Sequence, residues 1–297
     1  MIELILSIII SLNTSGEANF LNQTENILHF TNTSEKFTKD ETMISPIISA
    51  KSAVVLDLES GAVLFEQNSN EKMPIASLTK LMTNYIVLKE NDLNEIVTVS
   101  SKAANEQGSR MGIYSGEKIS LKNLVLGSLI NSGNDASIAL AEHNAGSVSK
   151  FVEKMNLTAN DLSLYNTKFQ NPTGIDQTDH YSSAMDIANL ARKVYENDFL
   201  KEAVKTKEII VENETGKIRH RLISTNDLLD SYLTVLGLKT GTTPMAGECL
   251  STITELPNKK LILTVVLASK NRFKDSKILI DWINRAYFAK NSQELQY

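Results

Sequence analysis

Apolar positions along this chain follow two periods, and the change from one to the other marks out its zones. Ser52-Ala53-Val54-Val55-Leu56-Asp57 and Ala62-Val63-Leu64-Phe65-Glu66 are short β-prone runs, separated by Leu58-Glu59-Ser60-Gly61 with a glycine at the turn of a hairpin. From Leu81 to Leu88 only Thr83 and Asn84 are polar, which predicts a helix that opens at Ser77 and is buried on nearly all sides. Between Leu93 and Lys205 the spacing is mainly helical, with segments at Leu121 to Leu129, Asp135 to Ala145, Val148 to Met155 and Ser183 to Tyr195. Strand signals return at Glu208 to Val211, Glu248 to Ile253 and Leu261 to Leu267, and a last amphipathic helix is predicted from about Phe273 to Ala289. Strands at both ends with helices between them predict an α/β (α+β) fold: one sheet built from both ends of the chain, flanked by helices, with a mainly helical insertion packed beside it. A cleft belongs where the two parts meet.

The ends of the chain break this pattern. Met1 to Leu12 is an apolar run too short to span a bilayer, and its length fits a signal-peptide h-region, although Glu3 stands where a basic residue is usual. Small residues at Gly16-Glu17-Ala18 offer a cleavage site, so residues 1–18 are read as a signal peptide and the protein as exported. Asn19 to about Ile48 is rich in Asn, Thr, Ser, Glu and Lys without apolar periodicity and reads as a flexible tether. The folded domain is expected over 49–290, followed by a short tail over 291–297.

Composition narrows the function. A net charge of -5 and a pI near 5.5 give no broad basic surface, which argues against a nucleic-acid partner. The single cysteine, Cys249, excludes an internal disulfide framework and a cysteine-based metal site, and its neighbours place it inside a strand.

Three polar stretches interrupt the apolar pattern. Ser77-Leu78-Thr79-Lys80 puts a hydroxyl and an amine on one helical face at the mouth of the apolar segment, where burial lowers an amine's proton affinity and makes it a usable base. Taken alone, Ser77 also fits an N-cap with Lys80 in solvent. Asn131-Ser132-Gly133-Asn134-Asp135 fits either a turn pointing side chains into a cleft or an ordinary helix-helix turn capped by Asn134 or Asp135. Gly237-Leu238-Lys239-Thr240-Gly241-Thr242-Thr243, read as leading into the strand around Cys249, fits either a carboxylate site or a polar loop.

Together, Ser77-x-x-Lys80, Ser132-Gly133-Asn134 and Lys239-Thr240-Gly241 occur in the order and rough spacing of the three motifs of the penicillin-recognising serine enzymes. The chain resembles their low-molecular-mass branch, the D-alanyl-D-alanine carboxypeptidases. Ala76 to Thr83, Asn171-Pro172-Thr173-Gly174-Ile175-Asp176, His180 to Ala184 and Gly237 to Thr243 all look like that branch, and the likeness covers about Ala50 to Phe288. It implies a β-lactamase/transpeptidase-like fold with an antiparallel sheet.

The resemblance also implies roles. Ser77 would attack the carbonyl between two terminal D-alanines of a peptidoglycan stem peptide, and Lys80 would take its proton. Backbone N–H groups of Ser77 and Thr242 would form the oxyanion hole. Ser132 would pass a proton to the departing amine, Asn134 would hold the substrate amide, and Lys239 with Thr240, Gly241 and Thr242 would bind the terminal carboxylate. β-Lactams would acylate Ser77. No metal or organic cofactor is implied. His180 is read as structural, and Arg272 either assists carboxylate binding or is a solvated helix-start residue.

Departures from the family pattern bear on function. Many members carry a second, β-rich domain with a membrane-anchoring helix, whereas this chain stops at Tyr297, so membrane association is expected only if the N-terminal segment is retained. Thr242 stands where many such carboxypeptidases have histidine. The rivals are a D-alanyl endopeptidase, a β-lactamase and a sensor that stays acylated. No Glu-x-x-Leu-Asn segment lies between Asn134 and Lys239, which argues against a class A β-lactamase. The expected place of action is the outer face of the cytoplasmic membrane, the periplasm or the cell wall.

Overall fold

Strand β1 (Ser52–Asp57) is buried at every position, and an apolar run of that kind needs cover on both faces of its sheet. The computed structural model describes residues 37–288. The chain divides into units Met1–Thr38 and Lys39–Tyr297, and the sheet with its covering helices belongs to the second. The reading of 1–18 as a signal peptide, most of the tether, Ala289 and the 291–297 tail lie outside the described residues.

The main sheet is antiparallel with strand order β2-β1-β9-β8-β7, adding β2 (Val63–Gln67), β7 (Thr234–Thr243), β8 (Gly247–Glu255) and β9 (Leu261–Ser269). The first hairpin from one end of the chain pairs with the last strand from the other, Ser52 opposite Leu267 through Asp57 opposite Ile262. This is the predicted closure by both ends. Two small sheets, β3 (Ile96–Thr98) with β4 (Lys118–Ser120) and β5 (Glu208–Glu212) with β6 (Arg219–Ile223), lie in the insertion.

Helix α1 (Lys80–Glu90) follows a 3-10 turn, Ala76–Thr79, so the nucleophile motif straddles a turn and a helix start rather than one continuous helix. Seven of its eleven residues are buried, Lys80 among them, as expected for a helix covered on nearly all sides. It contacts α3 (Leu121–Leu129), α4 (Asn134–Ala145), α5 (Val148–Asp161) and α6 (Ala184–Val194). Short helices α2 (Ser101–Ala104) and α7 (Asp198–Lys205) complete the insertion, and α8 (Arg272–Ile283) packs on β8 and β9.

Polar side chains fix several helix starts. Ser120, Ser147, Ser183, Asn197 and Asn271 each accept a bond from the backbone N–H three residues on, a cap worth ~1 kcal/mol apiece. Helix α5 runs on past Met155 because Ala159 is also buried on the same face. Residues 40–48, within the expected tether, contact the end of the domain: Asp40 N donates to Ala286 O and Trp282 Nε1 to Ile44 O, both at 2.7 Å.

Candidate active site

Ser77 is the one residue between Ile75 and Lys80 that is not buried, and its turn lies between α1 and β7. Gly241 explains how β7 comes so near: a Cβ there would sit 2.8 Å from Ser77 N, so any side chain would push the strand off the turn. On the other side, Gly174 has φ +87° and a Cβ would fall 1.9 Å from Ala76 O. The Asn171 side chain holds that loop, accepting from Thr173 N, Thr173 Oγ1 and Gly174 N at 2.7 to 3.1 Å.

Lys80 is fully buried, and its amine has three partners: Ser77 Oγ at 2.9 Å, Asn134 Oδ1 at 2.7 Å and Thr173 O at 2.6 Å. Two of the three can only accept. The Asn134 amide is oriented by its Nδ2, which donates to Gln107 O at 2.6 Å. A neutral amine has two N–H bonds and one lone pair, so the two acceptors use both N–H bonds and the lone pair is left for the Ser77 hydroxyl. Burial, and then the charge of Lys239, hold the Lys80 pKa well below the usual lysine range, with Asp135 and Glu106 opposing. A hydroxyl beside a neutral amine is what a serine nucleophile with an amine base requires.

Ser132 precedes α4 with φ +62°, a conformation uncommon for a non-glycine residue. Ala76 shares this feature at φ +48°. Backbone strain thus falls beside both serines, as it does at many functional sites. Ser132 Oγ accepts from Lys239 Nζ at 2.8 Å, and the same amine donates to Thr240 O at 2.9 Å. Burial, and then Arg272, push Lys239 down to about 7. Asp135 does not cap α4. Its buried carboxylate accepts from Met111 N and Gly112 N at 2.9 and 2.8 Å, fixing the loop whose Gln107 carbonyl holds Asn134.

The motif Lys239-Thr240-Gly241-Thr242 lies inside β7, not in a loop before β8, with Thr240 paired to Leu250 and Gly241 to Cys249. Its polar residues read as a loop because they face a cleft rather than the core. Arg272 starts α8 but is not merely solvated: its guanidinium donates to Gly241 O at 3.0 Å and to Thr242 Oγ1. Thr242 Oγ1 in turn donates to Gly241 O at 2.8 Å. Its one proton is therefore engaged, whereas the Arg272 guanidinium beside it carries five N–H donors and a permanent charge. His180 accepts from Gln170 N at Nδ1 (3.1 Å), which leaves Nε2–H to donate to Thr79 Oγ1 at 2.7 Å, and Thr79 Oγ1 donates to Ala76 O. It therefore stands behind the nucleophile turn as a support, consistent with a structural reading.

All residues singled out by the three motifs converge on this cleft. Sequence reasoning missed the carbonyls of Thr173 and Gln107, and also Thr225, whose hydroxyl bonds Thr240 Oγ1. The Asn-Pro-x-Gly-x-Asp segment signalled the first of these; nothing local signalled the others.

A family model described as D-alanyl-D-alanine carboxypeptidase matches residues 39–271, and the chain belongs to this family. It is 38% identical over 234 residues to the D-alanyl-D-alanine carboxypeptidase DacF of Bacillus subtilis, covering 77% of this chain and 60% of that protein. With DacC of Escherichia coli the identity is 37% over 261 residues, covering 83% and 64%. The chain thus spans less than two thirds of the length of these curated relatives. Among solved structures, the Streptomyces K15 DD-transpeptidase superposes with a TM-score of 0.77 at 29% identity, over 82% of this chain and 99% of that one. The fold is therefore the DD-peptidase fold anticipated from the three motifs.

Proposed function

We propose that this protein is a serine D-Ala-D-Ala carboxypeptidase that trims the terminal D-alanine from peptidoglycan stem peptides. The observation that carries the reading is the Lys80 amine, whose two N–H bonds are used by Asn134 Oδ1 and Thr173 O so that its lone pair meets the Ser77 hydroxyl. Ser77 Oγ bonds to the carbonyl carbon of the penultimate D-alanine as its proton passes to Lys80. Backbone N–H groups of Ser77 and Thr242 receive the oxyanion, a reading supported by the close approach of Gly241 to Ser77 N. The C–N bond then breaks, the leaving amine takes a proton through Ser132, and D-alanine departs. Water attacks the ester, its proton returns through Lys80, and Ser77 is regenerated.

Binding is divided among the remaining groups. Lys239, the Thr240 hydroxyl and Arg272 attract the terminal carboxylate, and Arg272 takes the larger share that the motif alone would assign to the Thr242 hydroxyl. Asn134 works mainly as the holder of Lys80, with its second N–H left for the substrate amide. β-Lactams carry the same carbonyl and carboxylate and would acylate Ser77. A protein acting on such a substrate would work outside the cytoplasm, at the outer face of the membrane, in the periplasm or in the wall, with membrane attachment through the N-terminal segment where that is kept.

The test is D-alanine release from diacetyl-Lys-D-Ala-D-Ala by the full chain, with Ser77→Ala as control. Release that disappears in the control supports the reading. Covalent labelling by a fluorescent penicillin without release shifts the function to an endopeptidase or a sensor. Absence of both signals removes Ser77 as the nucleophile.

A further inference from the structure

Thr240 Oγ1 has one hydrogen-bond partner among the described residues, the hydroxyl of Thr225. Thr225 sits after β6, on the link to the 3-10 turn Asp227–Asp230. Its backbone N–H donates to Ile130 O at 3.2 Å, two residues before Ser132. Thr225 therefore joins the Ser132 turn to the carboxylate-binding strand, which otherwise meet through Lys239. Thr240 is buried and Thr225 half-buried, so water cannot freely replace either side of this contact.

A threonine hydroxyl has one proton and two lone pairs, and a single proton lies between two bonded hydroxyls. With the cleft empty, either oxygen can supply it. An anion beside Thr240 changes that balance, because a bond to a charged acceptor is roughly twice as strong as one between neutral groups. The Thr240 proton then turns to the anion, and Thr225 must become the donor. We propose that Thr225 is a positioning residue of the carboxylate subsite: its hydroxyl donates to Thr240 Oγ1 and so turns the Thr240 proton toward the substrate's terminal carboxylate. Thr225 does not touch the substrate. It removes rotational freedom from the hydroxyl that does, and polarises it. The inference rests on the carboxypeptidase reading of this site.

The experiment compares wild type, Thr225→Val and Thr225→Ser on diacetyl-Lys-D-Ala-D-Ala. Valine keeps the shape and deletes the donor, whereas serine keeps the donor. Thr225→Val is expected to raise KM about fivefold with kcat within about twofold, and Thr225→Ser to restore KM to within about twofold of wild type. An unchanged KM in Thr225→Val overturns the inference. So does a loss carried by kcat, or one that serine fails to rescue, since either marks a merely structural role. Wild type that turns over normally while Thr225→Val is silent in KM overturns this inference alone. Wild type that releases no D-alanine overturns the carboxypeptidase reading and this inference with it.

Discussion

The Ser77 turn and the Lys239 strand each bury a lysine against a serine, yet they leave the two amines with different capacities. Lys80 is surrounded by one hydroxyl and two carbonyl oxygens, so every position on its nitrogen is used and the lone pair has one direction to point. Lys239 has a hydroxyl and one carbonyl, which leaves one of its three potential donors over. Burial depresses both, and a neighbouring positive charge adds to it in each case, Arg272 at Lys239 and Lys239 at Lys80. The amine with every position used is the one set to be neutral. On the proposed reading the same side chain in the same cleft serves as a base in one place and as an anion receptor in the other, and the acceptors around it make the difference.

The largest effect that tests this contrast is loss of the nucleophile pair. Ser77→Ala and Lys80→Met should each lower kcat by about 10⁴-fold or more, and the double variant should lose little further, because the two act as one unit. Steady-state release of D-alanine measures it. A Lys80→Met enzyme that keeps a substantial fraction of wild-type turnover would place the base elsewhere. Lys239→Met should cost less, about 10² to 10³-fold in kcat/KM with much of the loss in KM, since it removes binding charge rather than the base. Equal losses at the two lysines would erase the division of roles.

How much of this contrast is legible in the sequence depends on where the information sits. Residues Ser77 and Lys80 are three apart on one turn, and Lys239, Thr240 and Gly241 are consecutive, so local spacing carries both. The partners that separate the two lysines are not local: Thr173 O is 93 positions from Lys80 and Ser132 Oγ is 107 from Lys239. A backbone carbonyl leaves no mark in a side-chain pattern. Strand β6 is hidden from periodicity because Arg219-His220-Arg221-Leu222-Ile223 buries only His220 and Leu222, too few apolar positions to announce a strand. His220 is inward because Glu117 meets its Nε2 at 2.7 Å, a pairing that spacing cannot show. Strand β7 reads as the approach to a strand because Lys239, Thr240 and Gly241 interrupt its apolar pattern, although all three are buried.

A smaller effect tests a second asymmetry, the buried histidine behind the Ser77 turn. Burial pushes His180 down to about 4, with Asp176 opposing the shift and Lys80 adding to it. Its unfolded-state value is about 6.5. As pH falls through that window the unfolded chain binds a proton that the folded one refuses, so stability is intact above 6.5 and is lost progressively down to about 4. The difference amounts to ~3 kcal/mol at most. Thermal melting across pH 7 to 4 should show this decline, and His180→Asn, although less stable at pH 7, should show a shallower one. An equal slope in both would assign the acid lability to other groups.

The last contrast is the pH dependence of catalysis itself, which reads both lysines in one curve. Lys80 acts when neutral, so kcat/KM should rise with pH along an acid limb and level off well below the usual lysine range, as the direction of its shift requires. Lys239 attracts a carboxylate when charged, and with its pKa pushed down to about 7 the free enzyme should lose kcat/KM above neutrality, about tenfold per pH unit. A bound carboxylate favours the charged amine, so the falling limb of kcat should lie at higher pH than that of kcat/KM. Replacing Lys239 by arginine, whose guanidinium stays charged, should lower activity through changed geometry yet remove the falling limb. If the limb persists in Lys239→Arg, the group losing its proton is not Lys239, and the division of labour between the two amines has to be drawn differently.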